Sequence, residues 1–264
     1  MKLVESNSLR YYSFDSMEDQ GVMQAVFSRH GGVSNTPYAT LNTGGTVGDD
    51  PKAVVENRMR CFSALGRSPD SMFDVWQVHS VKVAVADAPR PADRPHDKAD
   101  IIITDKPGIS IFMRFADCVP VFLIDPRRKA IGMVHAGWIG TLDHAVLIAL
   151  QAMQARFGSH PGDMLAGIGP SIGVDHYLVG DDVIARVKQV FPADARDLLV
   201  EHADGFHFDL WKANLVDLHR AGVRHVENSG ICTACHLDDW YSHRAEFGKT
   251  GRFGALLALS GNDS

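Results

Sequence analysis

The sequence predicts an α+β fold with mixed or antiparallel β-sheets and flanking helices. Strand-like segments come in runs, with helical segments between the runs, and this order argues against a strictly alternating βαβ architecture. The chain has 264 residues, 45% of them hydrophobic and 22% charged, as in an ordinary globular protein with a sizeable core. That length suits one large domain or two small ones, and no repeat, low-complexity run or linker divides it.

Strands are expected at Gly21–Phe27, Val81–Ala86, Ala99–Thr104, Ser110–Phe115, Val119–Asp125, Ala130–His135 and Phe253–Leu259, where β-branched and aromatic residues cluster between turn formers. Apolar residues at helical spacing predict helices over Pro51–Leu65, Leu142–Phe157, Asp181–Val190 and Leu210–Ala221, with a short one at Asp238–Trp240. Residues 88–98, which carry three prolines, read as an exposed loop. Pro126-Arg127-Arg128-Lys129 joins two strand segments, so Val119–Asp125 and Ala130–His135 form an antiparallel hairpin. With the turn centred between Arg127 and Arg128, paired positions sum to about 255. Cys118 then faces roughly position 137 and His135 roughly position 120, about one rung apart at the hairpin's open end; whether they share a face depends on the register, which the sequence alone does not fix.

Composition limits the function. Lys plus Arg is 26 and Asp plus Glu is 32, a formal net charge of −6, so the chain has no bulk attraction for nucleic acid or an anionic membrane. Four cysteines do not make a disulfide framework at this length. The N-terminal segment has no apolar core of signal-peptide length, and no apolar run is long enough to span a bilayer. These features predict a cytoplasmic protein. Oligomeric state is not legible.

Three chemistry-bearing residues lie at element ends, where sites are usually built: His79 before a strand, Cys118 in Ala116-Asp117-Cys118-Val119-Pro120, and His135 in Val134-His135-Ala136-Gly137-Trp138. Two histidines and one cysteine with an open fourth position form an accepted catalytic zinc set, and zinc there would lower the pKa of a bound water towards about 7. A buried structural cysteine with two hydrogen-bonded core histidines is the competing reading. Other metal motifs are absent: there is no His-Glu-x-x-His, and no His-x-Glu followed by Pro-Cys-x-x-Cys. No His-x-His pair occurs among the 13 histidines, which argues against a trinuclear copper cluster. Cys232-Thr233-Ala234-Cys235 lacks both a βαβ context and a second cysteine pair, so it reads as two ordinary cysteines. Gly167–Gly173 reads as a tight structural turn, because Pro170 removes an N–H that a phosphate loop would use. Thr141 is the expected N-cap of the helix starting near Leu142, whose free N–H groups lie close to His135. Cationic clamps for an anion are sought among Arg29, Arg58, Arg114, Arg244, Lys249 and Arg252.

The motifs follow one another in a familiar order: Phe27-Ser28-Arg29-His30-Gly31-Gly32-Val33-Ser34, Leu41-Asn42, Val47-Gly48-Asp49-Asp50-Pro51, Asn57-Arg58, Gln77-Val78-His79, Ala116–Pro120, His135-Ala136-Gly137-Trp138, Gly169-Pro170, Cys232-Thr233 and Thr250-Gly251-Arg252. This series resembles the laccase-domain family, also described as multicopper polyphenol oxidoreductases, purine nucleoside phosphorylases or the peptidoglycan editing factor. The resemblance runs from about residue 20 to 259. It implies a single domain over 1–264 and a zinc, with copper as the alternative, held by His79, Cys118 and His135. It implies phosphorolysis of adenosine, inosine and methylthioadenosine, with some adenosine deamination. The partners are then a small nucleoside and phosphate. Cys118, His135 and Asp117 are the expected catalytic residues, with Asp117 as proton carrier; Arg29, Asn42, Arg58, Gln77, Arg244 and Arg252 are the expected substrate contacts. The chain departs from the family pattern at Ile139 and Ala245, where arginine is usual, and at Thr46, where histidine is frequent. Other expectations are a Cys118–His135 hydrolase or amidase that edits a peptidoglycan precursor, a polyphenol oxidase, and a metal-binding protein without catalysis.

Overall fold

The computed structural model describes residues 1–6 and 8–261. Among these residues the strands are β1 (Lys2–Ser6), β2 (Leu9–Ser13), β3 (Val22–Phe27), β4 (Met72–Phe73), β5 (Val83–Val85), β6 (Ile101–Thr104), β7 (Ser110–Phe115), β8 (Val119–Asp125), β9 (Ala130–Ala136), β10 (Leu165–Ile168), β11 (Leu199–His202), β12 (Gly205–Phe208), β13 (His225–Asn228) and β14 (Phe253–Leu259). The helices are α1 (Pro51–Ala64), α2 (Trp138–Leu142), α3 (Ala145–Phe157), α4 (Asp181–Val190), α5 (Ala195–Leu198) and α6 (Leu210–Ala221).

Two six-stranded sheets carry the architecture, ordered β1-β2-β3-β14-β7-β4 and β13-β10-β8-β9-β6-β5; β11 and β12 form a separate ribbon. Pairing is mainly antiparallel, with parallel pairs at β4–β7, β5–β6 and β10–β13. The sheets are therefore mixed, as the α+β reading expects. Alternation along the strands sorts side chains into layers. Phe122, Ile124, Ile131 and Met133 of the second sheet meet Ile111, Met113, Phe115, Ala255 and Leu257 of the first in one buried cluster. The opposite face of the second sheet packs Val121, Leu123 and Val134 against Ala149, Met153, Ala213 and Leu218 of α3 and α6. Phe27, Phe112 and Leu256 on the outer face of the first sheet meet Cys61 and Phe62 of α1. The order is helix, sheet, sheet, helices. Burying β8 and β9 from both sides makes them a stiff platform for whatever their ends carry.

Several elements differ from the expectations. The helix expected over Leu142–Phe157 is split: α2 begins at Trp138, and His144 takes a left-handed φ of 58° before α3. Thr141 is therefore inside α2 rather than its N-cap; Gly137 is the N-cap, and the Thr141 hydroxyl accepts from Asn214 Nδ2 at 3.0 Å. Asp238–Trp240 is a turn rather than a helix, closed by the Trp240 N–H on the His236 carbonyl at 2.9 Å. Strands β1, β2, β4 and β10–β13 lie outside the expected segments. Lys2–Ser6 and His225–Asn228 are edge strands, mostly polar and solvent-facing, and so lack the apolar alternation that marks a half-buried strand.

Candidate metal centre

The hairpin aligns Pro120 with His135 and Val119 with Ala136, the register anticipated from the turn. Cys118 lies two residues before Pro120, so it shares a face with His135 on the diagonal, within side-chain reach. The chain turns sharply from β7 into β8 through Asp117, at φ 81°, and His79 sits at φ 58° on the loop between β4 and β5. Side chains rarely adopt such conformations, and surrounding contacts must hold them.

Asp100 holds one of them. This buried carboxylate accepts the N–H groups of Val78, His79 and Ser80 at 3.2, 3.0 and 2.6 Å and the Ser80 hydroxyl at 2.8 Å. The same carboxylate lies 2.8 Å from His135 Nδ1, and the His135 N–H donates to the Asp100 carbonyl at 2.8 Å. A carboxylate only accepts, so Nδ1 carries a proton and Nε2 is the ring nitrogen left for Cys118 or, once deprotonated, for a metal. One residue thus sets the His79 loop and the His135 tautomer together.

The nitrogen and sulfur ligand atoms of His79, Cys118 and His135 all lie within 4.8 Å of one another, with His79 Nε2 at 3.9 Å from Cys118 Sγ. Gly137 makes room for them: a Cβ there would stand 2.9 Å from Cys118 Sγ and 3.2 Å from His79 Cδ2. Two imidazoles and a thiolate in this space suit zinc or copper. Without a metal the three side chains form a charged pair. Burial alone would raise the Cys118 thiol, but His135 and His79 outweigh it and bring it down to about 6. Burial would lower the His135 imidazole, yet the Cys118 thiolate and Asp100 bring it up to about 9. Asp100 also resists its burial, held below the usual carboxylate range by His135 and Ser80.

The triad lines one side of a cleft of about 520 Å³ that also takes in Gly45, Thr46, Arg58, Trp76, Gln77, His96, Arg114, His243 and Arg252. Arg58 Nε donates to the Thr43 carbonyl at 2.9 Å, and Arg252 Nη1 donates to the carbonyls of Thr250 and Gly251 at 3.1 and 2.8 Å. Neither has a carboxylate partner among the described residues. Burial, reinforced by neighbouring Arg114, brings the Arg58 guanidinium down to about 10, still protonated at neutral pH. Arg114 is different: it pairs with buried Asp74 at 2.7 Å, which Arg90 at 2.7 Å and His96 at 3.0 Å also contact. The proline-bearing loop is thus docked through Arg90 and His96, and this brings His96 to the cleft. Gln77 reaches the cleft while bonding both backbone groups of Arg114 at 2.9 and 2.8 Å.

Four expected site residues have other duties. Arg29 donates to the carbonyls of Ala39 and Leu237 at 2.9 and 2.8 Å and lies 4.5 Å over the Tyr241 ring, outside the cleft lining. Asn42 is fully buried; its Oδ1 accepts from Gly44 and Arg252 N–H at 2.9 and 2.8 Å, shaping the glycine loop. Arg244 stacks on Tyr177 at 5.0 Å and donates to the Leu178 carbonyl at 2.8 Å. Asp117 uses both carboxylate oxygens, accepting from the Thr233 hydroxyl at 2.7 Å and the Arg244 N–H at 2.6 Å. It braces the Cys118 turn through these two bonds.

Sequence reasoning missed Asp100, Trp76, His96 and His243. Asp100 had one signal: an acidic residue at the head of a strand that could pair with the one ending in His135. It also missed His176, whose Nδ1 lies 3.8 Å from Cys232 Sγ and 3.5 Å from Cys235 Sγ. The Cys-x-x-Cys therefore has a third metal-ligating neighbour, contrary to its reading as two ordinary cysteines.

The sequence matches the family described as multi-copper polyphenol oxidoreductase laccase over residues 23–260, and the chain belongs to that family. A protein of Deinococcus radiodurans named purine nucleoside phosphorylase is 37% identical, over 90% of this chain and 89% of its own length. The purine nucleoside phosphorylase YlmD of Geobacillus stearothermophilus is 32% identical, with 90% of each chain covered. The crystal structure of YlmD from that organism superposes with a TM-score of 0.90 at 30% identity, covering 98% of both chains. The Neisseria meningitidis protein NMB0706 superposes with a TM-score of 0.82 at 30% identity, over 95% of this chain and 99% of its own.

Proposed function

We propose that the chain is a metal-dependent purine nucleoside phosphorylase acting on adenosine, inosine and methylthioadenosine, with adenosine deaminase activity. One observation carries the reading: a His79–Cys118–His135 ligand set shares a cleft with two arginines, Arg58 and Arg252, that lack carboxylate partners. Relatives named purine nucleoside phosphorylase add their support. A guanidinium without an internal counter-ion, in a partly desolvated cleft, is suited to a phosphate dianion, which it can hold bidentately.

In phosphorolysis a phosphate oxygen attacks the ribose C1′, and the C1′–N9 bond breaks with its electron pair leaving on the purine. Arg58 and Arg252 hold the phosphate in line, which removes the entropic cost of bringing two reactants together. Exposed Trp76 offers an indole face to the base. His243 is kept below the usual imidazole range by burial and by Arg252, so it is neutral near pH 7 and can exchange a proton with the purine. Zinc or copper at the triad, when bound, supplies a Lewis acid that polarises an oxygen or activates water for deamination. His79, Cys118 and His135 would hold it, and Asp100 positions two of the three, through the His79 N–H and His135 Nδ1. Asp117 acts as a positioning residue beneath Cys118.

Incubation with adenosine and phosphate, followed by chromatography, tests the proposal. Adenine and ribose 1-phosphate are expected, with inosine from the deaminase activity and hypoxanthine from phosphorolysis of that inosine. If neither adenine, hypoxanthine nor inosine forms, the proposal fails.

A second reading has one observation in its favour, the Cys118 thiolate beside the His135 imidazolium. Such a pair is the nucleophile of a cysteine hydrolase or amidase, for which a peptidoglycan precursor would be the substrate. A covalent adduct on Cys118 in active, metal-free protein would support it. Activity that a chelator abolishes and zinc restores would exclude it.

A further inference from the structure

We propose that His176, Cys232 and Cys235 form a second metal site, a structural clip that takes zinc through two thiolates and one imidazole nitrogen. The three side chains come from two separate places in the chain. His176 closes the short 3-10 turn Val174–His176 after β10, and both cysteines lie on the segment after β13. Their ligand atoms all lie within 4.8 Å of one another. Tetrahedral zinc, with bonds of about 2.3 Å to sulfur and about 2.0–2.1 Å to nitrogen, puts sulfur and nitrogen roughly 3.6 Å apart. The two nitrogen–sulfur distances here, 3.8 and 3.5 Å, bracket that value.

A second feature points the same way. The Gly173 N–H donates to Cys232 Sγ at 3.1 Å, a backbone donor that fixes where this sulfur sits. The approach depends on glycine, because a Cβ at 173 would stand 3.2 Å from Cys232 Cβ and 3.3 Å from its sulfur. Cys235 and His176 are exposed, so water can reach the cluster and complete the coordination. The clip has a mechanical consequence. Thr233, between the two cysteines, donates to Asp117 at 2.7 Å, and its N–H bonds the Ser171 carbonyl at 3.0 Å. Tying Cys232 and Cys235 to His176 therefore fastens the segment that braces the turn carrying Cys118.

The test counts zinc bound to stripped, reduced protein after dialysis against zinc, by mass spectrometry of the metal. Wild type should hold two ions per chain, Cys118→Ser one, Cys235→Ser one, His176→Ala one, and the double variant Cys118→Ser/Cys235→Ser none. Circular dichroism should show the same fold throughout, since His176 and Cys235 are both exposed. Cobalt loading of Cys118→Ser should still give thiolate-to-metal charge-transfer absorption, which Cys235→Ser should weaken in that background. The inference is overturned if Cys235→Ser and His176→Ala bind as much zinc as wild type. It is equally overturned if Cys118→Ser shows no cobalt–thiolate absorption, or if Cys232 and Cys235 form a disulfide in the reduced, zinc-treated protein. A fall confined to Cys118→Ser would leave the first centre standing and remove only the second.

Discussion

The two His/Cys clusters use the same ligand chemistry in opposite settings. His79, Cys118 and His135 sit where a two-sided core ends, and a buried carboxylate orients two of them. His176, Cys232 and Cys235 sit on surface segments, with a backbone N–H as support and, among the described residues, no carboxylate on the imidazole. Ligand identity is therefore a poor guide to the role of such a cluster. The partners behind the ligands and the space in front of them separate a reactive centre from a clip. The first cluster opens on a cleft with two arginines lacking carboxylate partners; the second opens on solvent.

The largest effect should come from breaking the first cluster directly. Cys118→Ser, His79→Ala and His135→Ala should each lower metal affinity at that centre and nucleoside turnover by more than about 100-fold. Cys61→Ser should change neither, because Cys61 is buried on α1 against the first sheet and is not part of the cleft lining. Competition with a graded series of chelators and a turnover assay would check this. Unchanged turnover and affinity in Cys118→Ser would overturn the assignment.

Removing the carboxylate behind the ligands should cost less. Asp100→Asn keeps the shape but loses the charge on the His135 imidazole, and affinity should fall by about 10- to 100-fold. If the same chelator series shows no loss, Asp100 is only a loop clamp. Arg58→Ala should raise the KM for phosphate by about 10- to 100-fold, the worth of one charged hydrogen bond, with a smaller effect on the KM for nucleoside. Equal effects on both would show that Arg58 acts through loop structure.

The smallest effect is the sharpest contrast between the clusters. In metal-free protein the Cys118 thiol is lowered to about 6 and Cys235 is raised to about 11, the latter by desolvation and by Cys232. A lowered pKa keeps the thiolate present above that pH and removes it below. Iodoacetamide should therefore alkylate Cys118 with a half-maximal rate near pH 6, and Cys235 only in strongly alkaline solution. Peptide mapping across pH reads both sites. Equal profiles would mean that His135 does not charge-stabilise the thiolate.

Much of the first centre is legible in the chain itself. The four-residue turn Pro126–Lys129 points to a hairpin that brings Cys118 and His135 to one end, and the observed register then puts them on one face. Gly137 follows His135 in sequence, so the space for the ligands is also local. Asp100 and His176 are not local. Asp100 meets His135 only because β6 pairs with β9, and His176 meets the cysteines only because the loops after β10 and β13 close on each other. Arg29 and Arg244 show the converse: an arginine's type suggests an anion clamp, but carbonyls and aromatic rings close by had claimed both.

By itself, then, the sequence determined the strand and helix pattern of the core, the hairpin that carries Cys118 and His135, and the ligand types for a metal. These follow from side-chain period and turn chemistry, which act over a few residues. Tertiary structure alone decided which arginines lack a carboxylate partner, which carboxylate stands behind His135, and that a lone Cys-x-x-Cys has a histidine beside it. Such contacts join residues far apart in the chain, and only the packing of two sheets and their loops brings them within hydrogen-bond distance.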